Sequence, residues 1–104
     1  MPTKDEISKE FNRLEKFGYQ VYNFNSNRAN NRGIIGFPDH VIIGRGLLIF
    51  VEVKRDGDTM SKQQFAFREA VKSVEDNKRV MYFLLTKTEQ AKELVEKILT
   101  KEMK

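Results

Sequence analysis

The feature that most constrains this chain of 104 residues is an apolar run that ends in alternating charged residues. Residues 47–54 are rich in Leu, Ile, Phe and Val, which predicts a β-strand. Side chains two residues apart in a strand share a face, so Glu52 and Lys54 lie about 6.6–6.8 Å apart along one edge. The opposite face is wholly apolar and consists of Leu47, Ile49, Val51 and Val53. The run therefore predicts a strand with one buried face and two neighbouring charges on the other.

The segment before this strand predicts a hairpin whose register decides whether two acids meet. Asp39 opens a second predicted strand, and the Gly-Arg-Gly sequence at residues 44–46 is short enough to join the two strands. A two-residue loop with Gly46 at positive φ pairs Asp39 with Glu52 and places both carboxylates on one face. A three-residue loop places Asp39 opposite Val51 and separates the acids, unless a bulge corrects the register. Clustering of the two acids thus requires the first register or a bulge.

Two carboxylates brought together beside a lysine are suited to binding a divalent cation. At about 4 Å their charges repel by roughly 4 kcal/mol at an effective dielectric of 20, so the pair needs a cation or a raised pKa. Oxygen ligands without cysteine or clustered histidine favour Mg²⁺ or Mn²⁺ over zinc. Such a cation polarises a phosphoryl oxygen and acidifies a water, and Lys54 would orient that water or stabilise transition-state charge. The alternative is a surface ion pair between Glu52 and Lys54, with Asp39 in a proline turn.

Three blocks of the sequence resemble a known nuclease family. Pro38-Asp39 and Glu52-Val53-Lys54 look like the two halves of the PD-(D/E)XK nuclease signature. More narrowly, the blocks at residues 36–39 (GFPD), 49–54 (IFVEVK) and 60–64 (MSKQQ) resemble the small stand-alone VRR-NUC nucleases of phages and bacteria. The resemblance covers roughly residues 17–67, and the order of elements fits the whole chain. It implies a restriction-endonuclease-like fold, Mg²⁺-dependent DNA cleavage, and a homodimer that acts on branched DNA such as four-way junctions.

The resemblance also assigns roles to particular residues. Asp39 and Glu52 would hold the metal, with the backbone carbonyl of Val53 as a further ligand. Lys54 would be the catalytic lysine. Gln64 would match the glutamine that opens the following helix and faces the site.

Members of this family usually carry a metal-associated glutamate on the first helix, and here two residues compete for that position. Glu6 and Glu10 are four residues apart and share a helical stripe, so either can reach inward. The surrounding apolar positions do not decide between them, and Lys4 also fits the expected position. We take Glu6 as the predicted ligand and Glu10 as its alternative, beside the interpretation that the residue is a solvated helix acid.

Basic residues predict where DNA binds. The net charge of +4 and the pI near 9.4 permit binding to a polyanion. Arg28 and Arg32 lie in a Ser-, Asn- and Gly-rich stretch, residues 23–36, and no acid occurs between residues 20 and 38. Such a segment can follow a phosphate backbone, although a surface loop without contacts has the same composition. Lys62, at the start of the helix predicted after the site, can receive a phosphate together with the backbone N–H groups there.

The order of apolar patterns predicts one domain of the α/β (α+β) class over residues 1–104. Its elements are helices over residues 4–17, 62–75 and 87–103 and strands over residues 19–24, 39–43, 47–54 and 80–85. This order agrees with the restriction-endonuclease-like αβββαβ core, followed by a C-terminal helix, that the resemblance implies. The sheet is expected to be mixed and flanked by helices, because the middle helix can serve as a crossover. His40, the sole histidine, is expected to face away from Asp39 and to be packed or exposed rather than catalytic.

Composition excludes several classes of protein. The absence of cysteine excludes a disulfide scaffold and a thiolate zinc site. A hydrophobic fraction of 39%, with eight Phe and three Tyr, predicts a folded chain. The first ten residues are too charged for a signal peptide, and no apolar run is long enough to cross a bilayer. We therefore expect a soluble protein without membrane contact, located in the cytoplasm, or in the host cytoplasm if a phage encodes it.

These observations predict a metal-dependent DNA endonuclease that hydrolyses phosphodiester bonds. A Holliday-junction resolvase is an alternative that differs in substrate rather than in chemistry. A non-catalytic nucleic-acid-binding module on the same fold is the alternative from another class.

Overall fold

Three strands form an antiparallel meander, and a fourth strand joins the sheet in parallel. The computed structural model of the protein describes residues 4–24, 36–54, 57–75 and 79–102. The elements in chain order are α1 (Lys4–Asn12), a 3₁₀ helix (Arg13–Phe17), β1 (Gln20–Asn23), β2 (His40–Gly44), β3 (Leu47–Val53), α2 (Lys62–Val74), β4 (Val80–Leu85) and α3 (Thr88–Glu102). The sheet order is β1-β2-β3-β4, and only the β3-β4 pair is parallel. The predicted mixed sheet with flanking helices and a C-terminal helix is confirmed, and α2 is the crossover.

The first helical segment differs from its prediction in its last turns. One helix was expected up to Phe17, but the α-helix ends at Asn12 and continues as a 3₁₀ helix. Gly18 ends it, with φ at 96° and its N–H donating to the carbonyl oxygens of Leu14 and Glu15. A residue in this left-handed conformation satisfies the last carbonyl groups of a helix, and glycine adopts it without steric cost.

The turn between β2 and β3 is the two-residue loop, one of the two alternatives that the sequence left open. Gly44 pairs with Leu47, so only Arg45 and Gly46 lie between the strands. Both loop residues have positive φ, 49° for Arg45 and 84° for Gly46. Positive φ at both central positions is the backbone of a type I′ turn, whose twist matches that of the flanking strands. The turn therefore fixes the register of the whole hairpin.

One face of the sheet packs against α1 and α3 and forms the aliphatic core. On β3, the alternate residues Leu47, Ile49 and Val51 point to this face and are 8% exposed or less. The other buried members of this core are Ile7, Phe11, Leu14, Tyr19, Ile42, Leu85, Ala91, Leu94, Val95 and Ile98. The predicted apolar face of β3 is therefore the floor of the hydrophobic core.

The other face of the sheet is covered by α2 through aromatic side chains. The ring of Phe67 on α2 lies 5.3 Å from that of Phe37, 5.2 Å from that of Phe50 and 6.4 Å from that of Tyr82. Phe37 also contacts Phe24 edge to face at 5.2 Å. Such pairs contribute about 0.5–1.5 kcal/mol each beyond the area that they bury. We call these five residues the aromatic cluster, since they join β1, the segment before β2, β3, α2 and β4.

The C-terminal helix α3 is amphipathic and packs beside α1. Near its start, Oε1 of Gln90 accepts hydrogen bonds from the N–H groups of Thr86 and Lys87 at 2.6 and 3.0 Å. This side chain satisfies backbone donors at the helix N-terminus that have no partner within the helix. Within the part of the chain that the structure describes, neither α3 nor any other helix has the length and apolar character needed to cross a bilayer.

Candidate active site

The hairpin register carries Asp39 to the end of β3 where Glu52 lies. His40 pairs with Val51, and continuing this antiparallel pairing by one residue sets Asp39 opposite Glu52. Asp39 precedes β2, and its Oδ2 accepts a hydrogen bond from the N–H of Val53 at 3.0 Å. The register predicted from the two-residue loop is confirmed, and the carboxylate is held against the backbone of the strand that supplies the second acid.

The side chain of Gln64 joins Glu52 to Lys54. Its Nε2 donates a hydrogen bond to Oε2 of Glu52 at 2.9 Å, and its Oε1 accepts one from Nζ of Lys54 at 2.7 Å. The same Lys54 Nζ lies 3.7 Å from Oε2 of Glu52. Glu52 is only 2% exposed, and a buried carboxylate is costly unless it is paired and hydrogen-bonded. Three of the residues that the sequence singled out therefore meet in one hydrogen-bonded group.

The N-terminus of α2 fixes the position of Gln64. Ser61 caps this helix, and its Oγ accepts a hydrogen bond from the N–H of Gln64 at 3.1 Å. In return, Oε1 of Gln64 accepts one from the N–H of Ser61 at 2.9 Å. This reciprocal arrangement is a capping box. The oxygen that receives Lys54 is thus held by the backbone of the helix start.

Gly36 holds the segment that precedes β2 against the start of α2. Its φ is +89°, and a Cβ added there would lie 2.6 Å from the backbone carbon and oxygen of Gln63. A side chain is excluded by this contact, and the left-handed backbone also favours glycine. Because Gln63 precedes Gln64, the contact ties the segment that carries Asp39 to the helical turn that carries Gln64.

Tyr82 is a neighbour of the two acids that the sequence did not identify. It is half-buried on β4, where it pairs with Phe50 of β3. Burial, together with the negative charges of Glu52 and Asp39, raises the pKa of Tyr82 to about 12, and the positive charge of Arg68 acts in the opposite direction. The hydroxyl group is therefore protonated at neutral pH. Both carboxylates act on this hydroxyl, so the three side chains lie in one region of the α2 face.

Arg68 is a second neighbour that the sequence analysis missed. It lies four residues after Gln64 on α2, and side chains at this spacing share a helical stripe. This spacing was the only feature of the sequence that could have linked Arg68 to Gln64. Whether that side of α2 faces the site depends on how the helix crosses from β3 to β4.

His40 lies next to Asp39 in the chain but belongs to the core side of the sheet. Its side chain is fully buried, its Nδ1 lies 2.8 Å from Oδ1 of Asn23, and its ring meets that of Phe11 edge to face at 5.1 Å. Asn23 in turn donates from Nδ2 to Oδ1 of Asn12 at 3.0 Å. The expectation of a packed histidine on the face away from Asp39 is confirmed.

The structure does not gather the predicted ligands on the first helix with Asp39 and Glu52 into a metal-holding group among the described residues. The side chain of Glu6 is exposed, and Oε1 of Glu10 forms an ion pair with Nη1 of Arg13 at 2.8 Å. Across residues 4–24, 36–54, 57–75 and 79–102, no group of three or more acidic or histidine side chains is placed to hold a metal ion. The assignment of Glu6, with Glu10 as its alternative, stays a prediction.

The predicted DNA contacts fall in two places. Lys62 is exposed at the first residue of α2, one residue after the cap. Arg28 and Arg32 lie outside the residues that the structure describes. Contact of these three residues with DNA stays a prediction.

The donor groups at the site fit a hard divalent cation. Asp39 and Glu52 supply carboxylate oxygens, and the peptide carbonyl of Val53 lies between Glu52 and Lys54 in the chain. Oxygen ligands of this kind suit Mg²⁺ and Mn²⁺. Two carboxylates and one ammonium group leave a formal charge of −1, which a cation would offset.

A solved structure described as a VRR_NUC domain is similar to this chain, with a TM-score of 0.60 and 24% sequence identity. The similarity covers 91% of this chain and 97% of that chain. A scan against known protein families finds none that matches the sequence, and a search of curated proteins finds no match. The two chains share a fold, and the fold expected from the sequence resemblance is confirmed.

Proposed function

We propose that this chain is a metal-dependent DNA endonuclease of the VRR-NUC family, which hydrolyses phosphodiester bonds. The observation that carries the proposal is the bridge from Glu52 through Gln64 to Lys54, with hydrogen bonds of 2.9 and 2.7 Å. A solvated ion pair between Glu52 and Lys54 would not require a buried glutamate or a capping glutamine between the two charges. The fold shared with a VRR_NUC domain supports the assignment to the family.

In this proposal, each residue of the group has a distinct task. Asp39 and Glu52 would hold the cation, with the Val53 carbonyl as a further ligand, and Glu6, or alternatively Glu10, would join the set from α1. Bound there, Mg²⁺ or Mn²⁺ would polarise a phosphoryl oxygen and lower the pKa of a water.

Lys54 donates hydrogen bonds to the attacking water or to the phosphate oxygens on which negative charge develops. Gln64 keeps the Lys54 ammonium group in place through its Oε1 and keeps Glu52 oriented through its Nε2. A positioned donor of this kind acts without reorganisation during the reaction, which is why its removal lowers the rate.

DNA is the proposed substrate, and the proposed activity is cytoplasmic. Lys62 at the exposed N-terminus of α2, together with Arg28 and Arg32, would contact phosphates of the backbone. These contacts would orient the strand without reading its sequence.

Two finer proposals rest on the sequence resemblance. Branched DNA, such as a four-way junction, is the proposed preferred substrate, and a homodimer is the proposed active form. A light-scattering mass of a single chain, both alone and bound to a junction, would reject the proposed homodimer. Equal cleavage rates on linear and four-way DNA would reject the proposed preference for branched DNA.

The central test compares cleavage by the wild type, Lys54→Ala and a control, Lys97→Ala. Lys97 is exposed on α3, on the opposite side of the sheet. Plasmid, linear and four-way DNA are incubated with Mg²⁺ or with EDTA. We expect cleavage only with Mg²⁺, a loss of about 10²–10³-fold in Lys54→Ala, and no change in Lys97→Ala. Cleavage unchanged by Lys54→Ala would reject the assigned mechanism. DNA binding without metal-dependent cleavage would favour the non-catalytic module.

A further inference from the structure

Arg68 is half-buried, and among the described residues its side chain makes no hydrogen bond or ion pair. Withdrawing a guanidinium group from water without an anionic partner is unfavourable. Its five N–H donors form a planar fork that matches the oxygens of a phosphate. This combination favours an anion supplied from outside the chain.

The position of Arg68 places that anion next to the proposed active site. One turn of α2, about 5.4 Å, separates it from Gln64, whose side chain contacts Glu52. On β3, the step from Glu52 back to Phe50 is about 6.7 Å, and the ring of Phe50 contacts that of Phe67 in this turn of α2 at 5.2 Å. Phe50 pairs with Tyr82 on β4, and the charge of Arg68 acts on the Tyr82 hydroxyl. Arg68 and Tyr82 therefore lie one step along the α2 face from the Glu52–Gln64–Lys54 group.

We infer that Arg68 and the Tyr82 hydroxyl form a binding site for a DNA phosphate that neighbours the scissile one. This inference rests on the proposed function and adds a subsite to it. The guanidinium group would donate two parallel hydrogen bonds to the phosphate oxygens, and the tyrosine would donate a third. Tyr82 suits this task because its hydroxyl can donate a hydrogen bond and its ring is held in place by contact with Phe67.

The charge distribution also favours a further cation on this face. Before a metal ion binds, Asp39, Glu52 and Lys54 together carry a formal charge of −1, which repels a phosphodiester. The ammonium group of Lys54 is already bonded to Gln64 and lies near Glu52. Arg68 brings the formal charge of this region to zero and presents the added positive charge one turn from the cut.

The test measures the dissociation constant of a labelled DNA duplex by fluorescence anisotropy across a salt series. Ca²⁺ replaces Mg²⁺, since it also binds carboxylate oxygens. The variants are Arg68→Gln, Arg68→Lys and Tyr82→Phe, with Arg79→Gln as the matched control, because Arg79 is exposed before β4. We expect Arg68→Gln to weaken binding about tenfold and to reduce the slope of log affinity against log salt by about one. Arg68→Lys should keep the slope, Tyr82→Phe should weaken binding about threefold, and Arg79→Gln should change little.

The outcomes separate this inference from the proposed function. If the wild type cuts DNA with Mg²⁺ but Arg68→Gln binds DNA with the same affinity and slope as the wild type, the subsite is wrong and the nuclease stands. If the wild type binds without cutting and only Arg68→Gln changes the slope, the subsite stands and the nuclease is wrong. Should Arg68→Gln melt below the assay temperature, Tyr82→Phe carries the test, and unchanged binding in that variant overturns the shared site.

Discussion

The two faces of the sheet differ in what their side chains are and in how completely they are buried. On the α1/α3 face, the side chains are mostly aliphatic, and the contact layer is closed to water. On the α2 face, the aromatic cluster is only partly buried, and beside it lie the charges of Glu52 and Lys54. The comparison indicates that stability is concentrated on one face, which leaves the other free to hold polar groups that a closed core would exclude.

A single strand supplies both environments. Ile49 and Val51 of β3 point into the aliphatic core, while Phe50 and Glu52 point towards α2. The candidate site therefore lies on the face of β3 opposite the one that packs into the aliphatic core. Its charged side chains are attached to a strand that is held on its other face by the core. Precise positioning of such side chains requires a rigid backbone of this kind.

The largest expected effect is a loss of stability when a side chain of the aliphatic core is removed. Phe11→Ala should lower the free energy of unfolding by about 3–5 kcal/mol, because it removes a fully buried ring from the core. Urea denaturation followed by circular dichroism measures the change. The control is Phe65→Ala on α2, where the ring is 52% exposed, and the expected change is within about 0.5 kcal/mol. Equal losses in the two variants would contradict the division between the faces.

A smaller effect on stability, with a larger one on activity, is expected at Gly36. Gly36→Ala should cost about 1–3 kcal/mol from backbone strain and should reduce kcat up to about 10²-fold, because the new Cβ displaces the start of α2. Single-turnover cleavage and thermal melting measure the two effects.

Gly57→Ala is the matched control for Gly36→Ala. Gly57 also has positive φ, at +88°, but an added Cβ would meet nothing within 4 Å. It should lose stability from strain and keep its rate of cleavage. A rate that falls equally in both variants would show that the contact with Gln63 does not position the site.

The smallest expected effect on stability is at Ser61, the N-cap of α2. Ser61→Ala should lower the free energy of unfolding by about 1 kcal/mol, since it removes the acceptor for the N–H of Gln64. Chemical denaturation of the variant beside Ser61→Thr, which keeps a capping hydroxyl, measures the loss. A cap that only stabilised the helix would leave the cleavage rate of folded Ser61→Ala unchanged. We expect that rate to fall as well, because the cap also holds Gln64.

Much of the fold was predictable because its signals are local. The alternation of residues 47–54, the glycine at position 46 and the serine at position 61 each predict a structure from a few neighbouring residues. The exception, the 3₁₀ helix before Gly18, arises where the end of a helix tightens, and helix periodicity does not distinguish the two forms over a single turn.

The environment of the site was less predictable. Tyr82 lies 30 positions after Glu52 in the sequence, and its place beside the acids follows from the parallel pairing of β4 with β3. The contact of Gly36 with Gln63 likewise joins two segments that the sequence separates by a hairpin. Neither contact produces a periodic pattern in the sequence from which it could be predicted.

The sequence by itself determined which face of β3 carries charge and which face enters the core, and it limited the hairpin to a loop of two or three residues, which the structure resolves as two. Both follow from φ preferences and from the strict two-residue period of a strand, which act between neighbours. Only the tertiary structure decided that Gln64 bridges Glu52 and Lys54 and that Tyr82 and Arg68 stand beside them. Those contacts depend on how α2 crosses the sheet, and that path is set by packing among side chains far apart in the sequence.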